Sequence, residues 1–209
     1  MCKAFRERAL GAALAQGPAG ASGGQSGRAI HFATDFSGAD MAAFACKEGL
    51  SFRQEWATDP WDASREFIGR NHFPIHVFGD VLTRPARVQG LHLYIAAPPC
   101  QPWAKGGKGK GAEDVRAGLF GGALALVGAS RPVAVILEES DRLVTYQSGR
   151  WWASRVDQLR AWGYEVHWAV LDAKEQGVPQ HRARLWMVAI RRDAPCIGER
   201  FATPEPHPT

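Results

Sequence analysis

Cysteine is scarce in this chain of 209 residues: there are four, Cys2, Cys46, Cys100 and Cys196. None forms a C-x-x-C pair, and no cluster of Cys and His has zinc-site spacing. A disulfide framework and a bound metal are therefore not expected; free thiols in a reducing compartment are. Long apolar runs are absent as well. No stretch approaches 18 apolar residues, so no membrane span is expected. No internal repeat is visible. Neither G-x-G-x-x-G nor G-x-x-x-x-G-K-[ST] occurs, so nothing supports a phosphate cradle.

What is present describes an ordinary globular domain, with 45% hydrophobic and 22% charged residues. The net charge of +4 is compatible with a polyanionic partner without requiring one. The start, MCKAFRERALGAALAQG, has basic residues and a short apolar patch, but Glu7 and the brevity of that patch argue against a targeting peptide. Residues 15–28, AQGPAGASGGQSGR, have little to bury, so residues 1–28 are expected to be a flexible leader. The folded domain should span residues 29–192, and the proline-rich residues 193–209 should form a disordered tail.

Between these ends the pattern alternates. Strands are predicted at 29–36, 51–59, 75–80, 91–98, 133–140, 164–173 and 184–191, and helices at 39–50, 60–72, 115–130 and 150–162. The last two strands are separated by a loop too short for a crossover helix, so they should be antiparallel. The expected fold is α/β, a three-layer sandwich with a mostly parallel sheet.

Such sheets bind ligands at the carboxyl ends of their strands. There the sequence carries Asp35-Phe36-Ser37-Gly38, Asp59-Pro60, Asp80-Val81, Pro98-Pro99-Cys100 and Glu138-Glu139-Ser140. Asp59 stands where a nucleoside-binding α/β fold puts its ribose-binding carboxylate, and Asp80 is placed to accept from an adenine amino group. Together they suit an adenosine-containing cofactor without phosphates. The alternative for Asp35, Asp59 and Asp80 is that each caps a helix or turn.

The segments DFSGAD, APPCQPW, ILEES and QGVPQHRARLWMV, in this order and spacing, resemble the cytosine-C5 DNA methyltransferase family over residues 30–192. The resemblance implies a Rossmann-like S-adenosylmethionine-dependent methyltransferase fold with an antiparallel last strand. It implies S-adenosyl-L-methionine as cofactor, held by Asp35, Phe36, Ser37, Gly38, Asp59, Pro60, Asp80, Val81 and Pro98. It also implies a catalytic set of Cys100, Glu138, Arg182 and Arg184. Cys100 would add to C6 of a flipped-out cytosine and activate C5, Glu138 would donate to N3, Arg184 would contact O2 and orient Glu138, and Arg182 would steady the cysteine loop. The prolines around Cys100 restrict its backbone, and the loop AKGGKGKG offers Lys105, Lys108 and Lys110 to backbone phosphates; Gln101 and Gln180 complete the substrate contacts.

Alternatives stay open for each: Cys100 as an apolar plug, Glu138 as an ion-pair partner of Arg142 or Arg184, the arginines as an exposed basic strand start, the lysine loop as solvated charge. The family usually has Glu-Asn-Val where this chain has Glu138-Glu139-Ser140. The usual target-recognition region and returning cofactor-side segment are not evident, so a partner chain, a fragmentary gene product or a reduced enzyme would each fit. DNA is the expected substrate, inside the cell, in the nucleus or wherever genomic DNA resides; RNA, and a silent cofactor- or nucleic-acid-binding remnant, are the alternatives.

Overall fold

The computed structural model describes residues 29–47, 51–99 and 117–194. The leader, Cys100, Gln101, Lys105, Lys108, Lys110 and most of the tail lie outside the described residues. Seven strands form one sheet: β1 (Ile30–Asp35), β2 (Phe52–Thr58), β3 (His76–Phe78), β4 (Leu93–Ala96), β5 (Ala134–Ser140), β6 (Tyr164–Asp172) and β7 (Ala183–Arg191). Their lateral order is β3-β2-β1-β4-β5-β7-β6. The pairs from β3 to β5 are parallel, and β7 runs antiparallel to both of its neighbours. The expected reversal of the last strand follows from its connection: only a 3-10 turn, Ala173–Gln176, and a short loop join β6 to β7.

The helices are α1 (Met41–Lys47), α2 (Asp62–Asn71), α3 (Ala117–Ser130) and α4 (Arg150–Ala161). In α4, Trp152, Val156 and Leu159 make the buried stripe, and Gly163 just beyond the helix has φ 82°, a left-handed value glycine adopts without penalty. Helix α3 forms despite its glycines because packing outweighs propensity. At Gly128 an added Cβ would lie 3.1 Å from the Trp162 ring, so the missing side chain makes room for the indole.

The two faces of the sheet are covered unequally. Phe120, Leu124 and Val127 of α3 and Trp152, Val156 and Leu159 of α4 bury Tyr94, Val135, Leu137, Leu185 and Met187 in the main core. On the opposite face, Ala43 and Cys46 of α1 close a smaller cluster with Ile30, Phe32, Leu93 and Ala134, and Phe52, Ile95 and Ile136 at its border are only partly buried.

One irregularity positions the site. The β1–β2 register shifts between Phe32 and Ala33, so Phe32 pairs with Gln54 but Ala33 with Trp56. The extra residue, Glu55, sends Gln54 to the α1 face and Trp56 into the core on the α3 face. Strand order reverses between β1 and β4, where the carboxyl ends of the strands open a crevice.

Candidate active site

The loop after β1 has an alternating backbone: Phe36, Gly38 and Asp40 have φ of 57°, 55° and 52°. Only one of the three is glycine, so the conformation is held by contacts. The Ser37 N–H donates to the Thr58 carbonyl (2.9 Å), and the Gly38 N–H donates to Asp59 Oδ2 (2.8 Å). Asp59 Oδ1 accepts from the Trp61 N–H (3.0 Å). Asp59 thus pins the loop while each of its oxygens keeps further acceptor capacity. Arg65 donates to the carbonyls of Asp59 and Pro60 (2.9 and 2.7 Å) and so fixes the end of β2.

Asp35 is tied to three other segments of the chain. Its side chain is fully buried, with Oδ1 accepting from Trp56 Nε1 (3.0 Å) and Oδ2 from Arg84 Nε and the Tyr94 hydroxyl (both 2.6 Å). A carboxylate so occupied supports the loop from beneath, and Asp35 is also among the residues that line the cavity described below. Burial, with the neighbouring Asp35 charge, pushes the Tyr94 hydroxyl well above its ordinary range. Asp80 is exposed and caps a turn, accepting from the Leu82 N–H (2.9 Å), while its neighbour Val81 is buried. Pro60 is exposed and Pro98 buried, each just beyond a strand's carboxyl end. On the α1 face, Asp40 is buried with Gln54 and Thr34, and burial raises its carboxyl above the usual range against the pull of those donors.

Across the crevice stand Glu138, Arg182 and Arg184. Ser140 of β5 pairs with Arg184 of β7, and Glu138 with Trp186, so Glu138 and Arg184 are diagonal neighbours on one face. Arg184 Nε lies 3.0 Å from Glu138 Oε1, and Arg182 Nη2 lies 3.8 Å from the same atom. Of the two partners weighed for Glu138, the contact is therefore with Arg184. Glu138 and Arg184 are partly exposed and Arg182 half exposed, so this group reaches solvent. Asp172 braces it from the loop side: Oδ1 accepts from the Arg182 N–H (2.8 Å) and the Lys174 N–H (3.1 Å), and Oδ2 meets His181 Nδ1 (3.2 Å). These donors hold the Asp172 carboxyl below its ordinary range. Gln180 is exposed, and Glu139 points into the interior, where its Oε2 accepts from the Ser140 N–H (2.8 Å).

A cavity of about 500 Å³ joins the two halves, running from Phe36 and Ser37 along Met41 and Ala45 of α1 to Ile136, Glu138, Arg182 and Trp186. Its wall is mostly apolar, with charge at the strand ends. Sequence reasoning missed several residues in and around the site. Asp40 and Gln54 gave no signal. Trp61, whose indole is exposed beside Asp59, and Trp186 were readable only as generic aromatics. Among the described residues no three metal-ligating side chains converge, and no helix is long and apolar enough to cross a membrane.

Residues 36–208 match the family model described as C-5 cytosine-specific DNA methylase. The chain is 33% identical over 147 residues to the type II methyltransferase M.NgoBI of Neisseria gonorrhoeae, covering 70% of this chain and 45% of that protein. It is 33% identical over 149 residues to M.HaeII of Haemophilus aegyptius, covering 71% and 45%. It therefore spans less than half the length of these relatives. The structure of the S. pombe Dnmt2 methyltransferase superposes with a TM-score of 0.62 at 20% identity, covering 78% of this chain and 51% of that one, a likeness of fold.

Proposed function

The chain belongs to the C-5 cytosine-specific DNA methylase family, and from that premise we propose that it methylates C5 of cytosine in DNA with S-adenosyl-L-methionine. The observation that carries the proposal is Glu138 held by Arg184 at 3.0 Å on the rim of a cavity that also meets the loop after β1.

The residues that follow the cavity-lining Phe36 and Ser37, and those just beyond β2, fit the cofactor. Asp59 retains acceptor capacity for ribose hydroxyls, Trp61, whose N–H donates to it, is an exposed aromatic residue two positions on, and the Gly38 N–H is already given to a carboxylate, which suits a ligand without phosphates. When bound, S-adenosyl-L-methionine supplies an electrophilic methyl group. Asp35, Phe36, Ser37, Gly38, Asp59 and Pro60, with Asp80, Val81 and Pro98 at the neighbouring strand ends, would hold it.

The rest of the chemistry falls to side chains of this chain. Cys100 follows Pro98 and Pro99 directly after β4 and is the nucleophile of the proposal. As a thiolate it adds to C6 of an extruded cytosine, which breaks the ring's aromaticity and makes C5 nucleophilic; once C5 carries the methyl group, loss of the C5 proton to a base such as water expels the Cys100 thiolate and restores the ring. Glu138, as the acid, donates to N3 and stabilises the adduct; general acid catalysis of this kind contributes about 10²–10⁴-fold. Arg184 fixes the carboxyl, and its planar fork gives a direction that lysine would not. Arg182 and Gln180 border the substrate side. Gln101, Lys105, Lys108 and Lys110 are proposed to meet the target nucleotide and its phosphates. A segment beyond this domain, or a partner chain, would supply the target sequence.

Transfer of labelled methyl groups to duplex DNA and to RNA of matched sequence tests the reading. Label entering DNA at cytosine supports it. Label entering RNA alone moves the substrate, and binding of S-adenosylmethionine without transfer to either supports the silent remnant.

A further inference from the structure

Asp40 is an unusual residue for its place. It has φ 52°, which glycine would adopt at no cost, and its side chain carries a charge into an environment where only 1% of the residue is exposed. Such a choice needs compensation, and the structure provides it. Asp40 Oδ2 accepts from Gln54 Nε2 (2.5 Å) and from the Thr34 hydroxyl (3.1 Å), and Oδ1 accepts from the Ala43 N–H (3.3 Å). Thr34 Oγ1 in turn accepts from Gln54 Nε2 (3.1 Å) and from the Ser37 hydroxyl (2.9 Å). The Asp40 N–H donates to the Ser37 carbonyl (2.7 Å). Ser37 is thus gripped by the main chain of Asp40 and, through Thr34, by its side chain. His72 reaches the same loop from the end of α2, with Nε2 3.0 Å from the Ala39 carbonyl. Gln54 stands under Asp40 only because the β2 bulge turns it to the α1 face.

We propose that Asp40, through Gln54 and Thr34, is a positioning group that holds Ser37 and Gly38 in the geometry that receives the cofactor before it arrives. The inference rests on the cofactor reading above. It assigns to a buried carboxylate the work of keeping three left-handed residues in register, so that little ordering remains to be done on binding. A carboxylate used only to cap α1 would need the Ala43 contact alone; the contacts to Gln54 and Thr34 tie it to β2 and β1, and Thr34 in turn holds Ser37.

Two substitutions separate backbone from side chain. Asp40→Gly relieves the left-handed strain and removes the strut, whereas Asp40→Asn keeps an acceptor for Gln54 and Thr34. The readouts on the full chain are the affinity for S-adenosylmethionine by calorimetry and the hydrogen exchange of residues 36–40 without ligand. Asp40→Gly should weaken cofactor affinity about tenfold, the scale of one hydrogen bond to a charged group. It should speed exchange in the loop while β5 and β7 stay protected. Asp40→Asn should stay within about threefold of wild type, and Gln54→Leu should resemble Asp40→Gly. Unchanged affinity together with unchanged loop exchange in Asp40→Gly would overturn the proposal, as would equal losses in the Asn and Gly variants. A wild-type chain that binds no S-adenosylmethionine removes the functional reading, and loop exchange then decides on its own whether Asp40 positions the loop.

Discussion

The two sides of the crevice are built on different principles. On the β1–β2 side the carboxylates of Asp35, Asp40 and Asp59 are buried, and each is held by fixed donors, with Asp59 keeping acceptor capacity for a ligand. On the β5–β7 side Glu138, Arg182 and Arg184 form a partly exposed group with few additional ties. Buried and fully satisfied networks are rigid, whereas half-exposed ion pairs are screened and their side chains can turn. The first arrangement suits a surface that must be preformed for a ligand. The second suits groups that must reorient around a reacting ring and exchange a proton with water. Buried charge networks are therefore concentrated on one side and the proposed chemistry on the other, and the sharpest tests ask whether one can be removed without the other.

The largest effect should come from Glu138→Gln. Methyl transfer should fall by about 10²–10⁴-fold, the usual range for a lost general acid, while the melting temperature changes little because the group is part-exposed. A rate assay beside a melting curve reads both; a large loss of stability would contradict the division of labour. Arg84→Met should do the opposite. It leaves Asp35 buried without its ion-pair partner, and breaking a buried pair costs about 3–5 kcal/mol, readable as a lower denaturation midpoint. Activity per folded molecule should survive better than in Glu138→Gln. An unfolding midpoint equal to wild type would show that the Asp35 cluster is not the support described above.

Acid should also distinguish the sides. Asp40 has a raised carboxyl, so the folded state takes up a proton before the unfolded chain does, and its burial penalty is relieved as pH falls toward its ordinary value of 3.8. Asp172 has a lowered one, so its contribution is present above that value and is lost as pH falls through its folded pKa. Hydrogen exchange on acidification should therefore loosen the turn at residues 173–182 before the loop at 36–40. The reverse order would refute this assignment. The smallest effect is expected from Arg184→Lys, which keeps the charge on Glu138 but loses the fork: about a tenfold fall in turnover with unchanged stability, checked by steady-state kinetics.

Much of this plan was legible in the sequence because it is local. Glycine and proline punctuate the chain, strand and helix periods alternate cleanly, and the short β6–β7 connection dictates antiparallel pairing. The carboxyl-end cluster was readable for the same reason, since a parallel sheet gathers residues that each follow their own strand. Glu138, Arg182 and Arg184 do converge as expected. What the sequence concealed depends on distant partners. Asp35 meets Trp56, Arg84 and Tyr94, which lie 21, 49 and 59 residues away, and no local pattern marks them as one cluster. The β2 bulge was equally invisible: seven residues with acceptable strand alternation do not announce one extra residue, yet it decides that Gln54 and Trp56 face opposite ways. Asp40 fell within the helix predicted at 39–50, whereas the helix begins at Met41 and Asp40 is left-handed and buried, properties that depend on tertiary partners.

The most direct measurement is covalent capture on duplex DNA containing 5-fluorocytosine, in the presence of S-adenosylmethionine. The wild-type chain should form a protein–DNA species that survives denaturation, Cys100→Ser none, and Glu138→Gln far less. A denaturation-resistant species of equal yield in Cys100→Ser, or its absence in a wild-type chain that binds both cofactor and DNA, would contradict the account.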